Sequence, residues 1–107
     1  MLDKLLREIQ FALWKIHILH HAKERPIYGL WLLEELRRHG FQVSPGTLYP
    51  LLSRMYKRGW LRTVQRRSIM ASAKARREYV LTRKGAVALA QLRRQVDELH
   101  GEVVRHE

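Results

Sequence analysis

There is no cysteine among the 107 residues, so neither a disulfide nor a thiolate metal site is available to this chain. No apolar run approaches the ~20 residues that a membrane span needs. The N-terminal MLDKLLREIQ sets acids among its bases and lacks the pattern of a secretory signal. A soluble protein of the cytoplasm is the expectation. A phosphate-cradling glycine loop and a serine in a nucleophile-elbow context are missing too, so the chain reads as a non-enzyme without a cofactor. Acidic side chains are the scarce charge: ten Asp and Glu stand against 21 Lys and Arg, a net charge of +11.

That excess is not spread evenly. Arg54 to Lys84 holds eleven Lys or Arg and a single acid, Glu78, so +10 of the +11 lies in this segment. Concentrated charge of one sign is the electrostatic footprint of a polyanion partner, and outweighs the reading of a merely solvated basic face. It also disfavours an adaptor whose partner is another protein. At 107 residues, with 46% hydrophobic and 29% charged content, one domain can bury a core without staples.

The basic segment grows out of SPGTLYPLLSRMYKRG, residues 44 to 59. Leu48, Leu51, Leu52 and Met55 fall at i, i+3, i+4 and i+7 and share one helical stripe. Thr47, Tyr49, Arg54, Lys57 and Arg58 lie off that stripe and are expected to face outward. Thr47 as N-cap would leave Pro50 in the first turn, where its missing N–H costs nothing, and Gly59 supplies the stop. Ahead of it, Tyr28 to Gly40 reads as another helix, with Ile27, Leu32, Leu33 and Leu36 inward and Arg37, Arg38 and His39 at its C-terminal end. A short turn through Phe41 and Val43 joins the two as a helix-turn-helix.

Residues 2 to 22 read as a first helix, apolar on most of its circumference through Leu5, Ile9 and Leu13 on one face and Phe11, Trp14 and Ile18 on another. A second buried side in so small a domain points to another subunit. After Gly59 the period changes to that of strands, roughly 61 to 67 and 76 to 82, joined by a loop around Ser68 to Ala75. Thr82 is placed as N-cap of a last helix running to about His106. Leu89, Leu92, Val96, Leu99 and Val103 are spaced 3, 4, 3, 4, a coiled-coil seam of two heptads. The expected fold is therefore mainly α with a two-stranded β wing. Residues 1–83 form a winged helix-turn-helix domain, whose first helix adds to the dimer, and 84–107 form a dimerisation helix.

The chain resembles the PadR family of bacterial transcriptional regulators. The resemblance rests on Tyr28-Gly29, on Ser44-Pro45-Gly46-Thr47-Leu48-Tyr49-Pro50 followed by Leu51, Arg54, Gly59 and Leu61, and on Arg76-Arg77-Glu78-Tyr79 with Leu81-Thr82. The single long final helix is similar to the small subclass of that family. The resemblance implies a homodimeric winged-helix repressor on a double-stranded DNA operator, with its third helix in the major groove. A small hydrophobic or aromatic effector, commonly held near the dimer interface, would release it. The wing departs from the family's pattern in lacking a glycine at its tip.

On this reading Ser44, Thr47, Tyr49 and Arg54 contact DNA from the third helix and Tyr28 reaches a phosphate. Arg66, Lys74, Arg76 and Arg77 supply phosphate contacts from the wing. Two readings stand for Tyr49, a DNA contact or a buried ring. Leu5, Ile9, Leu89, Leu92, Val96, Leu99 and Val103 are the dimerisation set. Trp14 and Trp31 either line an effector pocket or belong to the core. His17, His20 and His21, at i, i+3 and i+4, converge on one helix face, with His100 and His106 on the final helix. No carboxylate neighbour is evident for them in sequence. They are either solvated or a metal site, and the latter makes a metal-responsive repressor the alternative function.

Overall fold

A computed structural model of the chain describes residues 2–65 and 77–105. Within them the order of elements is α1 (Leu2–Glu24), β1 (Ile27–Tyr28), α2 (Gly29–Arg38), α3 (Pro45–Lys57), β2 (Leu61–Gln65), β3 (Arg77–Leu81) and α4 (Arg83–Val103). The strands form one antiparallel sheet in the order β1-β3-β2, with Ile27 opposite Tyr79 and Leu61 opposite Leu81. The expected two-stranded wing thus has a third strand at its base. Tyr28 lies in that strand, and α2 begins only at Gly29. A two-residue strand has no period of its own and exists through its partner, so sequence pattern did not reveal it.

Both helices of the helix-turn-helix stop by the same device. Gly40 (φ +92°) and Gly59 (φ +82°) take the left-handed conformation that a side chain resists. The N–H groups of Gly40 and Phe41 return to the carbonyls of Arg37 and Leu36. Those of Gly59 and Trp60 return to Tyr56 and Met55. These are paired Schellman bonds, and in each case a large apolar residue follows the glycine and folds back over the helix end.

The start of α3 differs from the expectation. Ser44, not Thr47, is the N-cap, extended at φ −105°, ψ 159°, with Pro45 in the first helical position. A residue before proline is pushed into the extended region, and proline at the first helical position is pre-set for the helix, so the Ser-Pro pair decides the start. Pro50 consequently sits in the second turn and withholds a bond from the carbonyl of Gly46. Gly46 is exposed, so water can satisfy that oxygen.

The core gathers Trp14, Ile18, Leu19 and Ala22 of α1, Leu32, Leu33 and Leu36 of α2, and Leu48, Leu51, Leu52 and Met55 of α3. Ile27, Leu61, Tyr79 and Leu89 close it from the strands and α4. The supposed seam of α4 therefore divides. Leu89 is taken by the chain's own core and Leu92 packs partly against it, while Val96, Leu99 and Val103 are 44%, 61% and 59% exposed. A 3-4 spacing finds the stripe but cannot say which body each turn meets. The helix ends at Val103, short of His106, which lies outside the described residues.

One junction ties α3, the sheet and α4 together. Thr82 caps α4 by accepting from the Gly85 N–H at 3.0 Å, while its own hydroxyl donates to the carbonyl of Gly59. The Thr82 N–H donates to Trp60 O, and the Lys84 ammonium to Arg58 O at 2.7 Å. A Cβ on Gly85 would stand 2.2 Å from the backbone oxygen of Trp60. Gly85→Ala must force these two backbones apart. It is expected to lower stability by about 1–3 kcal/mol, read as a reduced urea midpoint at unchanged slope.

Candidate nucleic-acid interface

The outward side of α3 is built by its burial. With Leu48, Leu51, Leu52 and Met55 each 1% exposed or less, the remaining faces of the helix are committed to solvent. Ser44, Arg54, Lys57 and Arg58 are exposed and Thr47 is half-buried. The hydroxyl of Ser44 donates to that of Thr47 at 3.2 Å, so the two form a small polar cluster over the helix start. Three cations follow at the C-terminal end, where the helix dipole favours them. The turn that leads into α3 is held from behind, since the Arg37 guanidinium donates to the carbonyl of Val43 at 3.0 Å.

Tyr49 does not face outward as its spacing suggested. Its ring is half-buried against the core and lies over the first residue of α2, where a Cβ on Gly29 would meet its Cε1 at 2.5 Å. Tyr28-Gly29 and SPGTLYP, far apart in the sequence, are thus one contact: the glycine leaves room for the tyrosine, and the tyrosine sets α3 on α2. Burial, helped by the neighbouring Tyr79 phenol, pushes the Tyr49 hydroxyl above its ordinary pKa and keeps it a protonated donor.

Tyr28 is 37% exposed, at the edge of the sheet and immediately before α2. Arg77 is half-buried at the start of β3. Arg66, Lys74 and Arg76 lie outside the described residues. Trp14 is 4% exposed in the core, edge-on to Phe11 and Phe41. Trp31 stands apart from it, with the Arg25 guanidinium 4.7 Å over its ring and His21 edge-on at 5.2 Å.

The histidines adjoin one another, with the His17 ring stacked on that of His21 at 6.0 Å, but they meet different partners. His17 turns toward His39 and Phe41, with ring centroids at 5.1 and 5.7 Å. Burial, with His39, His21 and His20 adding to it, holds its pKa below the usual imidazole value. His20 and His21 also meet a carboxylate beyond the expected set, Glu24, four and three residues on. The signal was present as helical spacing.

An exposed cationic helix joined by a tight turn to a buried one, and followed by a small antiparallel sheet, is the architecture of winged-helix DNA-binding proteins. Among the described residues no helix is long and apolar enough to cross a membrane. The model of the transcriptional regulator PadR-like family matches residues 18–91, and the chain belongs to that family. It is 46% identical over 99 residues to the transcriptional regulator Rv3488 of Mycobacterium tuberculosis, covering 92% of this chain and 90% of that one. Among solved structures, a PadR-like transcription factor from Bacteroides fragilis is 28% identical, with a TM-score of 0.78 over 97% of this chain and 98% of that one. A PadR-like transcriptional regulator from Bacillus cereus is 29% identical, with a TM-score of 0.75 over 86% and 88% of the two chains. Members of this family are transcriptional regulators that bind DNA, not enzymes.

Two outcomes follow from this geometry. Gly29→Ala displaces the Tyr49 ring and tilts α3, so it is expected to weaken DNA binding about tenfold and, separately, to lower folding stability by about 1–3 kcal/mol. A band-shift assay beside a thermal melt reads both. At the other end of α2, the Arg38 hydrogen bond, joined by that of His39, holds the Glu35 carboxyl below its ordinary pKa against the pull of burial. Because the folded value is the lower one, this stabilisation is complete above the ordinary carboxylate range and is lost as pH falls through the lowered value. Unfolding curves of the wild type and Glu35→Gln are expected to differ at neutral pH and to converge in acid.

Proposed function

We propose that the protein is a homodimeric, sequence-specific DNA-binding repressor that places α3 in the major groove. Base-edge or phosphate contacts come from Ser44, Thr47 and Arg54, and Tyr49 acts mainly by seating the helix. Tyr28 contacts a phosphate beside it. Arg66, Lys74, Arg76 and Arg77 reach flanking phosphates. The observation that carries this reading is the cationic outer face of α3, left exposed by the burial of its opposite stripe.

Dimerisation is supported by apolar surface that the chain leaves open. Leu5, Leu6, Ile9 and Leu13 on α1 are 40–53% exposed, and Val96, Leu99 and Val103 on α4 are similarly uncovered. Contiguous apolar stripes of this kind mark protein–protein contact surfaces. On this reading residues 84–107 serve as the dimerisation helix, with Leu89 contributing from inside the fold rather than at the interface.

The effector reading finds support in a groove of about 320 Å³ between α1 and α4. Ala12, Ile16, Leu19, Trp60, Ala88 and Leu92 line it, with Lys15 and two glutamines adding polar groups. It is the size and make-up of a small-ligand site, and it adjoins the open stripes. Trp60, rather than Trp14 or Trp31, offers the flat aromatic surface there. A small aromatic effector bound in it would shift α4 on α1 and, through Trp60, the end of α3.

The test uses a duplex from upstream of the protein's own gene. Arg54→Ala is expected to weaken binding about tenfold and, where a phosphate contact is lost, to lower the slope of log K against log salt by about one. Leu99→Asp is expected to give a monomer by sedimentation and to abolish tight binding. A monomeric wild type, or indifference to the duplex at low salt, would overturn the proposal.

A further inference from the structure

We infer that His20, His21 and Glu24 bind a divalent cation of the Zn²⁺ class, and that filling this site breaks a contact between α1 and α4. Glu24 Oε1 lies 3.2 Å from His21 Nδ1 and 3.6 Å from His20 Nε2. One ligand atom from each residue lies within 4.8 Å of the other two. Tetrahedral zinc with bonds of about 2.0–2.1 Å sets neighbouring donors roughly 3.3 Å apart. Two edges of the triangle are therefore close to the spacing a metal needs, and small rotamer adjustments close the third. Two imidazoles and one carboxylate select a borderline cation over Mg²⁺ or Ca²⁺, which prefer all-oxygen ligands, and leave a fourth position to water.

The surroundings fix one donor and leave the others accessible. The His21 side chain is only 14% exposed and is packed edge-on to Trp31. His20 and Glu24 are 43% and 57% exposed, so a cation reaches them from solvent. The cations nearby, Arg25 over Trp31 and Arg93 beside His20, oppose a third positive group. The site is accordingly one of moderate affinity.

Arg93 supplies the coupling. Its Nη2 stands 3.1 Å from His20 Nδ1. Arginine only donates, so Nδ1 carries the lone pair and the proton of the neutral ring sits on Nε2, the nitrogen that faces Glu24. A metal needs the lone pair of Nε2. Binding therefore moves that proton from Nε2 to Nδ1, where N–H meets N–H, and the divalent charge repels the guanidinium as well. Arg93 must swing away, and α4 loses a tie to α1. The site thus deepens the regulatory reading, and depends on it only for the consequence at the DNA.

The test is calorimetric titration of the tag-free chain with ZnCl2 in a non-chelating buffer. One site per chain is expected, with Kd on the order of micromolar. Glu24→Gln and His21→Ala are each expected to weaken it about tenfold or more, and Arg93→Gln to tighten it several-fold. Glu24 is exposed, so Glu24→Gln keeps the fold and decides the matter if His21→Ala does not fold. No saturable binding below about 100 µM, or binding indifferent to Glu24→Gln, overturns the site. An unchanged affinity in Arg93→Gln overturns the coupling. Saturated zinc that leaves duplex affinity unaltered overturns the regulatory consequence, whereas failure to bind duplex without zinc overturns the repressor reading and leaves the calorimetry standing.

Discussion

The junction between Gly59-Trp60 and Thr82-Gly85 is the constraint on which the arrangement of this molecule depends. Four segments end or begin there: α3, β2, β3 and α4. A single threonine answers a backbone donor of α4 and donates to the carbonyl after α3. Its own N–H meets Trp60, and Gly85 allows the two backbones to touch. The Gly85 N–H is a first-turn donor that the start of α4 would otherwise leave open, and Thr82 satisfies it while also bonding to the segment that follows α3. The direction of α4 relative to α3 is set here and not by packing alone.

The second organising contact lies at the opposite end of α3, where the Tyr49 ring occupies the space that a Cβ on Gly29 would need. Together the two contacts hold α3 at its start and its finish. The apolar stripe between them needs only to be buried, and leucine and methionine do this without specific geometry. The outer face is then free to carry polar and cationic groups, and α3 works as a rigid rod with two fixed ends.

Much of this was legible from periodicity. The stripe of α3, the glycine stops at 40 and 59 and the Thr82 cap are local signals with local causes, and each is where its spacing placed it. What escaped was non-local. β1 exists because Tyr79 and Glu78 pair with it. Leu89 belongs to the core because α4 folds back at the junction, which no spacing announces. Tyr49 lies off the α3 stripe yet packs inward, because α2 presents a glycine to it. The start of α3 has a local cause as well: the preference of Ser44 for extended backbone before Pro45 outranks the capping preference of Thr47. The partnership of Glu24 with His20 and His21 was likewise available from helical spacing alone.

The positive charge gathered on α3 and the segment beyond it has a consequence for how the protein moves inside a cell. Attraction of this kind acts on any duplex, whatever its sequence, and chromosomal DNA offers it everywhere. Few copies would therefore drift unattached. Most would be stored on unrelated stretches of chromosome and reach their target by sliding and hopping, so that occupancy is governed by the ratio between the right site and all the wrong ones.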